Sequence, residues 1–230
     1  MIYITGDTHQ LNNIEKIKNF ILKNKVSKED YLIIVGDVCC PEFCQDIPYG
    51  KVYNFWIDIP MQILFIDGNH ENFQSLNKLP IEEWNGGNIH RLAPNIIHLM
   101  RGQVFTIEEK KFFTMGGAIS PDRMKRFLGI DYFEEEDCSY NETKIALDNL
   151  EKHNNQVDYI LTHTIGDDFF RKNMLTYFHF YIEYSGAINR FLDYIDDVVD
   201  YKHWYFGHFH KDIVLDNKHT LIFNFIKKIK

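Results

Sequence analysis

The chain has few cysteines and no long hydrophobic run. Only 4 of its 230 residues are Cys, and three of them, Cys39, Cys40 and Cys44, are bunched without the spacing of a CxxC pair. This argues against a disulfide framework and predicts a reducing, cytoplasmic setting. No apolar run reaches the ~18–20 residues that a membrane span needs. The first residues enter a strand-like run directly, so we expect neither a signal peptide nor a membrane anchor.

Proline, glycine and basic residues are also scarce. With 6 Pro, 13 Gly and 45% hydrophobic residues, the composition excludes disordered, collagen-like and low-complexity chains and predicts one globular domain over residues 1–230. The 25 Lys and Arg against 33 Asp and Glu give a net charge of −8. The chain therefore lacks the basic footprint of a general nucleic-acid-binding protein, and nucleic acid is expected only as a substrate.

Short β-rich apolar runs alternate with helical periodicity along the chain. The predicted strands are Ile2–Thr5, Tyr31–Val35, Ile63–Ile66, Ile96–Met100, Gln103–Ile107, Lys111–Met115, Tyr159–Thr162, His203–Phe206 and a final stretch Thr220–Phe225. Helices are predicted over 11–24, after Ser139 to Lys152 and over 187–199, with Ser139 and Glu142 spaced as a capping box. This order predicts a mixed α/β fold with two sheets.

Polar side chains follow five of these strands at the point where each strand ends. They lie in Gly6-Asp7-Thr8-His9, Gly36-Asp37, Asp67-Gly68-Asn69-His70-Glu71, the single His163, and Gly207-His208-Phe209-His210. Because ligands bind at the carboxyl ends of strands in α/β sheets, we expect these loops to converge.

The residue types in these loops suit a metal centre. Imidazole and carboxylate together favour Mn, Fe, Co, Ni or Zn over the all-oxygen sites of Mg or Ca. In an extended segment, residues two apart point the same way, so Asp7 with His9, and His208 with His210, can each chelate one ion or serve two neighbouring ions. The number of candidate ligands exceeds what one tetrahedral ion needs, which predicts two ions ~3.5–4 Å apart.

In this order, the strand-end motifs resemble those of the calcineurin-like metallophosphoesterases, from Asp7 to His210. The segments Asn85–Gly87, Pro94–Phe105 and Gly116–Ser120 are similar to a subgroup of small bacterial and phage members. The resemblance implies a two-metal phosphoester hydrolase on a two-sheet β-sandwich flanked by helices, in four α/β/β/α layers.

The resemblance also implies a role for each site residue. Asp7, His9 and His210 would hold the first ion, and Asn69, His163 and His208 the second. Asp37 would bridge both ions, and His70 would face the leaving group as a general acid for metal-activated water attack. The expected cofactors are two divalent transition-metal ions, with Mn²⁺ favoured and Fe, Zn, Co or Ni as alternatives.

The sequence departs from the family pattern at three points. Gln10 stands where members usually carry Gly after the histidine of the first motif. Val38-Cys39-Cys40-Pro41 replaces the VDRG-type continuation of protein Ser/Thr phosphatases, which argues against that specificity. No Asp is placed to orient His70, and Glu71 is the candidate substitute.

A basic segment after Gly116-Gly117 is the candidate substrate contact. Arg123, and secondarily Arg126, are expected to grip the phosphate, because guanidinium matches phosphate oxygens. The alternative is a solvent-exposed basic turn that balances Glu134–Asp137, an acidic run predicted to be a solvated face. The aromatic cluster 177–184 could stack nucleic-acid bases, but core packing or a dimer surface is favoured, so a homo-oligomer is left open.

The sequence thus favours a hydrolase of small phosphoesters or nucleotides. A metal-dependent nuclease and a protein Ser/Thr phosphatase are the enzymatic alternatives. A non-catalytic module in which metal only holds the loops is the least favoured, because it gives His70 no reason to accompany a full ligand set.

Overall fold

The computed structural model describes residues 1–9, 11–38, 53–130, 132–178 and 185–229. Gln10, Cys39, Cys40, Cys44 and most of the aromatic cluster lie outside these residues. In chain order the strands are β1 (Ile2–Thr5), β2 (Tyr31–Val35), β3 (Gln62–Ile66), β4 (Ile81–Trp84), β5 (Gly87–Ala93), β6 (Ile96–Leu99), β7 (Gln103–Ile107), β8 (Lys110–Met115), β9 (Gln156–Thr162), β10 (Asp200–Phe206), β11 (Ile213–Val214), β12 (His219–Leu221) and β13 (Lys227–Lys228). The α-helices are α1 (Leu11–Lys23), α2 (Tyr53–Asp58), α3 (Phe73–Leu76), α4 (Tyr140–Lys152), α5 (Asp167–Asn173) and α6 (Ala187–Val198), and two 3₁₀ turns span Arg123–Lys125 and Glu134–Glu136.

Among the described residues, the strands form two mixed sheets. The first has the order β13-β1-β2-β3-β6-β5-β4, and the second has the order β11-β12-β10-β9-β8-β7. Four neighbouring strands in each sheet are parallel, β1-β2-β3-β6 in the first and β8-β9-β10-β12 in the second. Parallel strands end at the same edge of a sheet, so the loops that follow β1, β2 and β3 lie side by side, as do those that follow β9 and β10.

Apolar side chains fill three layers of packing. Ile4, Ile33 and Leu64 of the first sheet pack against Phe112 and Leu161 of the second to form the central core. The opposite face of the first sheet is covered by α1 and α2, and that of the second sheet by α4, α5 and α6. Strands that are buried on both faces explain the near-continuous apolar runs in the sequence. The predicted two-sheet sandwich flanked by helices is confirmed.

Most predicted elements are present, with shifted ends. The capping box at α4 is confirmed, since Ser139 Oγ accepts a hydrogen bond from Glu142 N and Glu142 Oε2 accepts one from Ser139 N. The final β stretch is shorter than predicted and ends at Leu221. Beyond it, the N–H groups of Phe223 and Phe225 donate to the Asp212 carboxylate rather than to a strand.

The prediction of a solvated acidic face at Glu134–Asp137 is wrong for part of the run. Glu134 and Glu135 are exposed, but Glu136 is fully buried and its carboxylate accepts hydrogen bonds from two backbone N–H groups. Asp137 accepts from Ala187 N and Ile188 N at the start of α6. Glu136 and Asp137 therefore accept hydrogen bonds within the fold rather than forming a solvated face.

None of the helices in the described ranges is long and apolar enough to cross a membrane.

Candidate metal centre

The strand-end residues named from the sequence converge at one place between the two sheets. Asp7, Asp37 and Asn69 come from the loops after β1, β2 and β3, and His163, His208 and His210 come from the loops after β9 and β10. His9 follows Asp7 in the first of these loops. All of them except His208 and His210 are buried. The half-exposed ring of His210 opens the cluster to solvent on one side.

The backbone is in rarely used conformations where it carries these side chains. Asp37, His208 and His210 have φ values of 55°, 69° and 50°, which residues other than glycine seldom adopt. Gly36 has a φ of 88°, and a Cβ there would lie 2.2 Å from Nδ1 of His163. Glycine is required at this position, because any side chain would collide with the imidazole.

Both aspartates are held in the same way. Asp7 Oδ1 accepts a hydrogen bond from His208 N at 3.2 Å, and Asp37 Oδ1 accepts one from His70 N at 2.9 Å. Each carboxylate therefore has one oxygen tied to the backbone. The other oxygen, Oδ2, points at imidazole nitrogens in both cases.

A first group of donor atoms comprises Asp7, His9, Asp37 and His210, whose candidate ligand atoms all lie within 4.8 Å of one another. His210 Nε2 is 2.9 Å from Asp7 Oδ2 and 3.1 Å from His9 Nε2. His9 Nε2 is in turn 3.9 Å from Asp37 Oδ2. Bonds of about 2.1 Å to a transition metal place neighbouring donors about 3–4 Å apart. The donor set fits a divalent transition-metal ion in both spacing and chemistry.

A second group lies beside the first and shares Asp37 with it. His163 Nε2 is 3.2 Å from Asp37 Oδ2 and 3.2 Å from Asn69 Oδ1, and His208 Nδ1 is 3.0 Å from Asn69 Oδ1. Asp37 Oδ2 thus faces an imidazole of each group. This arrangement could hold a second ion next to the first.

The tautomer of His163 is set by the backbone. Its Nδ1 is 2.8 Å from the carbonyl oxygen of Val35, to which it must donate, so the lone pair of the neutral ring is on Nε2. A hydrogen bond from the other ring nitrogen is the usual support of a metal-binding histidine. When the ring is neutral, the lone pair of Nε2 therefore faces Asp37 and Asn69, as a metal ligand requires.

The charges of the cluster perturb each other strongly. Burial opposes ionisation of Asp37, but the imidazoles of His163, His70 and His9 outweigh it and hold the pKa of this carboxyl well below its usual range. Burial lowers the pKa of His163, yet Asp37 and Asp7 raise it to about 10. Burial and the neighbouring His163 lower the pKa of His208 to about 3. Perturbation in both directions is typical of functional sites.

His70 follows Asn69 in the loop after β3, and its ring contacts the first donor group. The ring stacks on that of His9, with centroids 4.5 Å apart and planes 5° apart. Its backbone N–H donates to Asp37 Oδ1 at 2.9 Å. The side chain is half-buried and stands beside the first donor group.

The sequence makes Glu71 the candidate partner that orients His70. Its buried carboxylate accepts hydrogen bonds from Val38 N at 2.7 Å and from Gly68 N at 2.5 Å. Burial, followed by the charges of Asp37 and Asp67, raises the pKa of Glu71 well above its usual range. Glu71 thus ties the loop after β2 to the loop after β3.

The basic segment leaves the metal centre at Ser120, whose hydroxyl contacts Asn69. Arg123 and Arg126 are both half-buried in and after the 3₁₀ turn, and Arg126 Nε is 2.7 Å from Asp122 Oδ1. Four apolar side chains of the same segment, Met124, Phe127, Leu128 and Ile130, are exposed.

Several residues that support the site carry no signal in the sequence. Lys16 on α1 donates to the carbonyl oxygens of Gly6 and Asp7 at 2.8 and 2.9 Å, and burial lowers its pKa to about 8. Arg101 pairs with buried Asp67, two residues before Asn69. Burial opposes ionisation of Asp67, but Arg101 and His98 bring its pKa well below the usual range. These cations hold the loops in place from outside the cluster.

A cluster of buried Asp, His and Asn at the strand ends of a two-sheet α/β sandwich is typical of a metal-dependent hydrolase. A family model described as calcineurin-like phosphoesterase matches residues 1–212, and the chain belongs to this family. None of the curated proteins matches the chain. The family indicates a hydrolase that acts on phosphoester bonds, and the buried Asp/His group indicates that it is metal-dependent.

Proposed function

We propose that the protein is a binuclear metal-dependent phosphoesterase that acts on small phosphoesters or nucleotides. The observation that carries this proposal is the position of Asp37 Oδ2, which lies 3.9 Å from His9 Nε2 in one donor group and 3.2 Å from His163 Nε2 in the other. An oxygen that faces both donor groups is suited to bridge a pair of ions ~3.5–4 Å apart.

The two groups divide the ligands between two ions. Asp7, His9 and His210 would hold the first ion, Asn69, His163 and His208 the second, and Asp37 both. Mixed imidazole and carboxylate donors support a transition metal, and Mn²⁺ is our first choice. The ions would supply Lewis acidity towards phosphoryl oxygens and an acidified water as nucleophile.

The charge of the loaded site explains how an acidic protein attracts phosphate. Two aspartates contribute −2 and two divalent ions +4, so the centre is about +2 within a chain of net charge −8. The exposed side of His210 gives a phosphoester access to this centre.

His70 would act as the general acid. Its ring lies against His9 of the first donor group, while its backbone N–H holds Asp37. A protonated imidazole here can give its proton to the departing alkoxide. Arg123 would bind the substrate's phosphate or its flanking group. Arg126, whose Nε is 2.7 Å from Asp122 Oδ1, is the secondary candidate.

The test is a turnover screen with metal-stripped protein. After chelation, the protein is supplied in turn with Mn²⁺, Fe²⁺, Co²⁺, Ni²⁺ and Zn²⁺ and given phosphomonoesters, phosphodiesters, pyrophosphates, nucleotides, a phosphopeptide and supercoiled plasmid. We expect metal-dependent turnover of small esters or nucleotides, and lower turnover in Asp37→Asn.

The other outcomes identify the alternatives. Plasmid nicking without turnover of small esters would indicate a nuclease, and turnover of the phosphopeptide alone a protein phosphatase. Two bound ions with no turnover of any substrate would indicate a non-catalytic module. The cytoplasmic location remains a prediction from cysteine usage.

A further inference from the structure

The amide of Asn69 can face the second donor group in two ways, and only one of them binds a cation. An amide has an oxygen at one end and an NH₂ group of nearly the same size at the other. Only the oxygen can be a metal ligand. Some feature of the protein must therefore exclude the flipped amide.

The structure places a hydrogen-bond partner at each end of this amide. Oδ1 lies 3.2 Å from His163 Nε2 and 3.0 Å from His208 Nδ1, within the second donor group. Nδ2 points the opposite way and donates to the hydroxyl oxygen of Ser120 at 3.0 Å. Asn69 is 1% exposed and Ser120 is 0% exposed, so water does not compete for this bond.

A serine hydroxyl alone would not select the orientation, because it can donate as well as accept. Glu136 removes this ambiguity. Its Oε2 accepts the backbone N–H of Ser120 at 2.8 Å, which places the carboxylate close to the hydroxyl of the same residue. Its Oε1 accepts Phe133 N at 3.4 Å, and the whole side chain is buried.

The direction of the chain of hydrogen bonds follows from these contacts. A carboxylate only accepts, and its charge favours the hydroxyl rotamer whose proton is directed towards it, so we expect the Ser120 proton to face Glu136. The hydroxyl oxygen then presents a lone pair to the Asn69 amide. Nδ2 can donate a hydrogen bond to this lone pair, whereas Oδ1 cannot. A flipped amide would place two oxygens against each other in a buried site, which is costly.

We propose that Ser120 and Glu136 are positioning residues that hold the Asn69 amide with Oδ1 towards the second ion. This inference rests on the proposed function, because it assigns Asn69 to that ion. It also gives Glu136, which the sequence placed on a solvated face, a part in the site.

The experiment measures metal binding rather than turnover. Metal-stripped wild type, Ser120→Ala and Ser120→Thr are titrated with Mn²⁺ by calorimetry, and the Co²⁺-loaded proteins are compared by visible absorption. We expect Ser120→Ala to bind one ion as wild type does and the other 10–100-fold more weakly, the range for residues that support a ligand. The Co²⁺ spectrum should change, and Ser120→Thr, which keeps the hydroxyl, should restore both readouts.

Ser139→Ala is the matched control. Ser139 caps α4 and its hydroxyl contacts Glu142, away from the donor groups. This variant should lose stability with unchanged metal binding. Equal weakening of metal binding in Ser139→Ala and Ser120→Ala would overturn the proposal, because it would show a general effect of destabilisation.

Glu136→Gln tests the direction of the hydrogen bonds that link Glu136, Ser120 and Asn69. It also replaces Ser120→Ala as the test variant if Ser120→Ala does not fold. The amide of Gln can donate to Ser120 Oγ, which frees the hydroxyl proton to point at Asn69 and favours the flipped amide. We expect the same selective weakening of one ion. Wild-type affinities and spectra in both Ser120→Ala and Glu136→Gln would refute the inference.

Failure of the proposed function gives a different pattern. A wild type that binds two ions without any turnover removes the catalytic proposal and leaves the positioning proposal to be decided by the titrations. A wild type that binds only one ion, with an affinity that Ser120→Ala does not change, removes both.

Discussion

Replacing His70 by Ala separates a proton donor from a metal ligand more cleanly than any other change at this site. The substitution removes the ring that stacks on His9 but keeps the backbone N–H that holds Asp37 Oδ1. Both donor groups therefore keep their candidate ligand atoms, and Asp37 keeps the hydrogen bond that positions it. We expect His70→Ala to retain both ions.

The loss of rate expected for His70→Ala follows from the proposed role of His70 as the general acid. Removal of a positioned general acid lowers the rate by ~10²–10⁴, which corresponds to about 3–5 kcal/mol of transition-state stabilisation. The lost ring contact with His9 should cost only about 0.5–1.5 kcal/mol of folding stability. The effect on turnover should thus far exceed the effect on stability.

The assay compares leaving groups. kcat is measured for an alkyl phosphate and for p-nitrophenyl phosphate, with metal content determined on the same samples. The loss should be large for the alkyl ester and small for the nitrophenyl ester, because nitrophenolate is a weak base that leaves without a proton. His153→Ala, at the C-terminal end of α4, is the control and should leave both rates unchanged. An equal loss for the two esters, or loss of an ion from His70→Ala, would refute the role.

Three further substitutions test the bridge, the substrate contact and a buried histidine pair. Asp37→Asn should lower both metal stoichiometry and activity, and a wild type that holds one ion and gains no activity from added metal would contradict the binuclear centre. Arg123→Ala should lower kcat/KM by about 1.5–3 kcal/mol, the range for hydrogen bonds to charged groups, with metal content unchanged; an unaltered kcat/KM would remove Arg123 from the substrate site. Burial and the neighbouring His98 lower the pKa of His90 from 6.5 to about 4. Between these pH values the unfolded chain binds more protons than the folded chain, so the free energy of unfolding falls as the pH falls. In chelator, His90→Gln should flatten that decline, by at most about 1.4 kcal/mol per pH unit; superimposable slopes for the two proteins would exclude His90 as the cause.

The local part of the fold and site was predictable from the sequence. Strands buried on both faces read as continuous apolar runs, and the residue after each run is at the end of a strand whatever the strand packs against. The positions of Asp7, Asp37, Asn69, His163 and His208 at strand ends were therefore predictable. The Asn85-Gly86 turn between β4 and β5, with φ values of 50° and 94°, is an equally local hairpin signal.

Contacts between distant segments were decided only by the tertiary structure. Nothing near Glu136 in the sequence indicates burial, because its partners Ser120 and Asn69 come from other loops. Lys16 and Arg101 likewise resemble surface cations until packing places them on the loops after β1 and β3. Periodicity reports which residues of one segment share a face, whereas the partner of a buried charge depends on how separate segments pack. The sequence alone therefore predicted the candidate donor residues, and the tertiary structure decided which of them lie together and which residues hold them in place.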